Sequence, residues 1–410
     1  MNQREGKMTA IKALTFLMFA MFAMTTDSVG IIIPEIVKTF HLSLTAAGSF
    51  QYVTMGGIAI AGFLLGYLAD RYGRKPTIIA GLTLFGAASF CFFVGHSFPF
   101  FCVLMGISGL GVGIFKTAAL ALIGDLAKST AEHTSLMNTV EGFFGVGSIV
   151  GPALLAQLLG RGIPWPWLYV IAGFMCVLLI LTALRARYPA HITTADGSAD
   201  MKGMRNAMKN PYVLGFSMGA FLYVAVEAAV YVWMPTLLAG YHGPGAWIAV
   251  YSISIFFLLR AAGRFLGAWM LSRFRWTLVL SLCGAMILAC FVASVTLGTG
   301  WALYCLPLSG LFMSVMYPTI NSKGISCLPK SGHGAGAGVI LFFTCVSAVL
   351  APLAMGAVSD AMGGPRYGFL LATAFAGLMF AGLLLNWIYD PAARILNHAD
   401  QAEYDRATAS

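Results

Sequence analysis

The sequence predicts an all-α membrane protein with twelve transmembrane helices in two pseudo-symmetric six-helix bundles. Composition is the first reason: 59% of the 410 residues are hydrophobic and 10% are charged, too little polar surface to solvate a globule of that size. Spacing is the second, because apolar runs of roughly 20 residues, enough to cross about 30 Å of hydrocarbon, recur along the whole chain. Charge placement is the third. The 24 lysines and arginines fall almost entirely in the breaks between those runs, as in a polytopic protein oriented by its cytoplasmic loops.

Taken in order, the spans are expected near 12–34, 47–69, 76–95, 99–123, 135–160 and 165–185, then 212–238, 246–271, 277–297, 301–324, 333–358 and 367–389. The first run, which includes ALTFLMFAMFAM, is too long for a signal peptide and lacks a small-residue cleavage site after it, so it is expected to remain as span one. The longest polar stretch, 186–211, separates span six from span seven. It divides the chain into an N-terminal bundle (1–185), a cytoplasmic linker and a C-terminal bundle with a short tail (212–410).

Placing both termini in the cytoplasm puts eighteen basic residues inside or at inner helix ends, while Lys38, Arg161 and Arg366 fall outside. That asymmetry sets the orientation. The formal net charge of +9 is therefore a topology signal and implies no nucleic acid as partner. The eight cysteines lie in or beside apolar runs without a CxxC pair, and the seven histidines are scattered. Neither a disulfide framework nor a metal site is expected, and no cofactor is called for. No nucleophile, base and orienter occur in an enzyme-like arrangement, so an enzyme is not expected. A monomer in the bilayer is the expected state.

After span two the chain reads Gly66 and then YLADRYGRKP. Gly66 allows close helix approach, while Asp70, Arg71, Gly73, Arg74 and Lys75 place a tight turn and a charge cluster at an inner helix end. GRFLGAWMLSRF, with Gly263, Arg264, Gly267 and Arg273, occupies the same place after span eight and marks an internal repeat. These strings resemble the loop signature of the major facilitator superfamily. FMSVMYPTINSKGI (312–325), GRFLGAWMLSRF and APLAMGAVSDAMG (351–363) resemble its fucose/glucose proton-symporter branch, most clearly in spans eight, ten and eleven.

The resemblance implies a secondary carrier working by alternating access, with the solute and proton sites near mid-membrane and the Gly66-to-Lys75 loop and Arg264 as gating elements. It implies proton-coupled uptake of a small polar solute, such as a sugar, across a bacterial inner membrane. Asp27, ahead of Pro34 in TTDSVGIIIP, matches the branch's span-one aspartate. In span four the branch has a Gly-x-x-Glu-Thr-Ala string, where this chain reads GIFKTAA, so Lys116 replaces a glutamate. Asn138, Glu141 and Glu227 also fall on polar positions of the branch, and Asn321 lies in the span-ten string.

Charges at membrane depth cost about 2.5 to 3.5 kcal/mol each on insertion scales and therefore face cavities or partners. Asp27, Lys116, Glu141, Glu227 and Arg260 are the five such groups. Counting about 1.5 Å per residue from the helix ends puts Lys116 level with Glu141, and Glu227 level with Arg260. Two ion pairs are expected on that count. Asp27 is left as the carboxylate with the least evident partner and is the first choice for proton carrier, with Glu141 and Glu227 as further candidates.

Lys116 and Arg260 offer positive charge to a sugar acid or other organic anion. Tyr223 and Tyr317 are suited to stacking or hydroxyl bonding, and Pro318 opens the helix beside Tyr317. The alternative is a proton-coupled efflux antiporter, suggested by GVGSIVGPALLA (145–156) in span five. That string lacks the closing glycine pair of the exporters.

Overall fold

The computed structural model describes residues 2–65, 68–126, 130–186, 188, 207–328 and 333–396. Helices occupy all twelve expected places. Ten of them are long and apolar enough to cross a membrane among the described residues. The expected spans two and three are the shorter helices Ser49–Leu64 and Arg74–Cys91, of 16 and 18 residues. The chain divides into two compact units, Met1–Gly197 and Ser198–Ser410. Most of the expected linker lies outside the described residues.

In the first unit, span one (Asn2–Thr26 and Val29–Phe40) packs on span five (Thr130–Gly160) and span six (Pro166–Arg185). Spans two and three both pack on span four (Phe98–Leu126), and three also packs on six.

The second unit repeats this scheme. Span seven (Pro211–Leu238) packs on span eleven (His333–Met362) and span twelve (Pro365–Tyr389). Span eight (Ser252–Arg273) and span nine (Trp276–Thr296) pack on span ten (Thr299–Ser326), and nine also packs on twelve. The same five helix pairs thus recur six spans later, which is the internal repeat expressed as packing.

Small residues make the close pairs possible, since apolar tails offer no hydrophobic driving force between helices and backbones must approach to gain dispersion. A Cβ on Gly109 would collide with the Thr54 carbonyl of span two, and one on Gly310 with the Phe256 carbonyl of span eight.

Among the described residues, spans one, seven and ten are interrupted near their polar groups. In span one, Ser28 and Ile31 bond back three residues, to Thr25 and Ser28, so the helix tightens around Asp27. The Thr25, Thr26 and Ser28 hydroxyls take the carbonyls of Phe22 and Met24, competing with the ladder there. In span seven a π-turn, Ala229–Trp233, lies between Glu227 and Pro235. Span ten breaks at Ser314 and Val315, just before Pro318 removes an amide donor.

The π-turn explains a register difference. Asp27 stands seven residues before the proline of span one and Glu227 eight before that of span seven. A π-turn accommodates one extra residue in a helix. Counted back from those prolines with that residue allowed for, the two acids fall at matching positions along spans one and seven.

Candidate functional site

In the first unit the polar groups gather along one stripe of span five. Glu141, Phe144 and Ser148 follow one another at three and four residues, the spacing that aligns side chains on a helix face. Ser148 Oγ donates a hydrogen bond to Asp27 Oδ2, and Thr26 Oγ1 lies 3.5 Å from Asp27 Oδ1. Asp27 is 9% exposed. The stripe meets span one so closely because Gly151, one turn past Ser148, has no side chain: a Cβ there would strike the Met24 backbone. The GVGSIVGPALLA string thus has a packing task in this chain, delivering a hydroxyl to the acid of span one.

Lys116 comes to the same stripe from span four. Its Nζ lies 5.5 Å from the Phe144 ring centroid, a cation over an aromatic face. The side chain is half-buried and Glu141 is exposed. No ion pair joins Lys116 to Glu141 among the described residues, so the bridge expected from helix depth is not formed. Depth arithmetic places two residues at one level and says nothing of which way each helix face turns. Asn138, three residues before Glu141, falls outside the described side chains.

The second unit holds the other expected pair. Arg260 Nη1 of span eight is ion-paired with Glu227 Oε1 of span seven, the two side chains being 23% and 10% exposed. Tyr223, one turn before Glu227, donates to the same Oε1 at 3.0 Å and lies 3.3 Å from the Met313 carbonyl at the break in span ten. The Tyr223 and Tyr317 rings stack at 6.2 Å, and the Phe257 ring lies 5.9 Å from the Arg260 guanidinium. Asn321, one turn past Tyr317, has a buried Oδ1 with no hydrogen-bond partner among the described residues. Arg264, one turn past Arg260, is exposed.

At the loop after span two, Gly66 lies outside the described residues, and Asp70 and Arg71 end the short helix Leu68–Arg71. Gly73, at φ 94°, caps the helix that begins with Arg74. Lys75 Nζ donates to the carbonyls of Leu184 and Ala186 at 2.8 and 2.9 Å and sits 5.7 Å over the Tyr188 ring. A cation on the open carbonyls of a helix end complements the dipole there, so Lys75 fastens span three to the end of span six. Burial pushes the Tyr188 phenol up to about 12. Span twelve is fastened to span nine in the same way, by Arg366 on the Val295 carbonyl at 2.8 Å.

Sequence reasoning missed Ser148 and Phe144. The glycine pattern around Ser148 was the available signal, since a small-residue stripe announces close approach to another helix. For Phe144 there was none, one phenylalanine among 30 being indistinguishable from a lipid-facing one.

Two matching six-span halves, each with ionisable groups on interrupted helices, define a multi-pass membrane carrier of the repeat type. The family model described as Major Facilitator Superfamily matches residues 15–352, and the chain belongs to that superfamily. It is 24% identical to a glucose/galactose transporter of Brucella abortus over 92% of this chain and 93% of that one. It is likewise 24% identical to the L-fucose-proton symporter of Escherichia coli, over 89% and 90%. A TsgA homolog of Buchnera aphidicola is 22% identical across 56% of this chain, which spans 58% of that protein.

Among solved structures, the E. coli fucose:proton symporter superposes with a TM-score of 0.63 at 22% identity, covering 91% of this chain and 98% of that one. A D-xylose-proton symporter superposes at 0.73 and 15%, covering 92% and 97%. These structures show the shared fold.

Proposed function

We propose that this protein is a proton-coupled symporter that takes up a small polar solute across the cytoplasmic membrane by alternating access, with both termini in the cytoplasm and Asp27 as the proton carrier. The observation that supports this most is the pairing of Asp27 with Ser148 at the break in span one. A hydroxyl donates to a carboxylate and equally accepts from a carboxylic acid, so the partner serves both protonation states without rearrangement. Glu227 is held differently, by a guanidinium that can only donate. Its arrangement suits a fixed carboxylate.

The names of the relatives support the same reading, since two of the proteins described above are sugar-proton symporters by name and another transports glucose and galactose. The loop from Gly66 to Lys75 and Arg264 would govern the conformational equilibrium. Uptake measured in proteoliposomes tests the proposal: an inward proton gradient should drive accumulation of the solute, and collapse of the gradient should leave only equilibration. Accumulation that persists without any ion gradient would sink it.

A further inference from the structure

We propose that Lys116 is the anchor for a carboxylate on the transported solute, making the substrates small hydroxylated monocarboxylates such as sugar acids. The proposal deepens the symport reading above and rests on it. Lys116 lies ten residues before the end of its helix, about 15 Å along the axis and so within the span. An ammonium at that depth requires a counter-charge, yet among the described residues its neighbour is an aromatic ring, Phe144, and no carboxylate is paired with it.

In span eight Arg260 already has its acid, being ion-paired with Glu227. Lys116 is half-buried rather than sealed. The solute itself can bring the missing negative charge.

The stripe on span five restricts which anion fits. Asp27 is joined to Ser148, one turn to one side of Phe144, and Glu141 stands one turn to the other side. The ammonium thus has a carboxyl group along the stripe in each direction. A solute with one carboxylate is attracted at the centre, whereas a second negative charge meets one of the two acids. Phe144 and Ser148 thus set an aromatic ring beside the ammonium and a hydroxyl-bound acid one turn away.

The test uses the full-length protein in lipid nanodiscs, titrated calorimetrically with D-galacturonate and D-gluconate beside D-galactose and D-glucose, with succinate as a dianion. The acids should bind about tenfold or more tightly than the matched hexoses, as a charge-assisted hydrogen bond implies, and succinate more weakly than D-gluconate. Lys116→Met should erase the preference and Lys116→Arg should keep it. Without ligand, the melting temperature of Lys116→Met should equal or exceed that of the unaltered protein, since it removes an uncompensated charge.

Equal or tighter binding of the hexoses overturns the proposal. So does a preference that survives in Lys116→Met, or the absence of binding by every carboxylate tried. A pH-sensitive dye trapped in proteoliposomes separates the two readings. Acid binding that depends on Lys116 but moves no protons keeps the anchor and sinks symport. Proton influx driven by D-galactose and not by D-galacturonate does the reverse.

Discussion

Arg260 and Glu227 join spans eight and seven through an ion pair that Tyr223 completes by donating to the same carboxylate oxygen. Each partner is largely removed from solvent, so either one alone is a charge in the wrong place. Arg260→Leu or Glu227→Gln should each destabilise the protein by about 3 kcal/mol, while the double variant should recover most of the loss. Thermal unfolding in one detergent, read as a double-mutant cycle, measures this. Losses that simply add would show that the two side chains do not meet.

Asp27→Asn should abolish proton-driven accumulation while leaving solute exchange across the membrane near the rate of the unaltered protein, because the amide keeps the shape and the Ser148 bond but cannot take up a proton. Counterflow in proteoliposomes reports exchange, and uptake under an imposed pH gradient reports coupling. Full accumulation by the Asn variant removes Asp27 from the mechanism.

If a monocarboxylate enters with one proton, no net charge moves. Uptake of D-galacturonate should then follow the pH gradient and ignore an imposed membrane potential of either sign. Stimulation by an inside-negative potential would mean more than one proton per solute.

Lys116 and Glu141 should behave independently. With no bridge between them among the described residues, the stability changes of Lys116→Met and Glu141→Gln should add to within about 0.5 kcal/mol. Strong coupling in that cycle would restore the pair that helix depth alone suggests.

Lys75→Ala should lower stability by about 1 kcal/mol, since it strips the end of span six of a cation bonded to two carbonyls. Asp70→Ala, in the same loop, should slow turnover with little effect on membrane insertion. Equal turnover would reduce the loop to a topology signal.

The twelve spans, their six-and-six division and the repeat were legible in consecutive residues, because lipid leaves a chain few options. Apolar length, positive loops and glycine-marked contacts are local properties written in consecutive residues. The sequence also singled out the charges at membrane depth, since each is conspicuous against an apolar background. Which charges meet was decided only by tertiary structure. Counting along helices gave both Lys116 with Glu141 and Glu227 with Arg260 as pairs at matching depth, and only the second forms. A rise per residue fixes height, whereas contact also needs the rotation of each helix about its axis and the identity of its neighbour. Those follow from close packing at positions such as Gly151 on Met24, which turns Ser148 toward Asp27 and leaves Lys116 against an aromatic ring. The π-turn in span seven belongs to the same category: one extra residue is invisible in composition, and only the folded helix shows where the chain absorbs it, between Glu227 and Pro235.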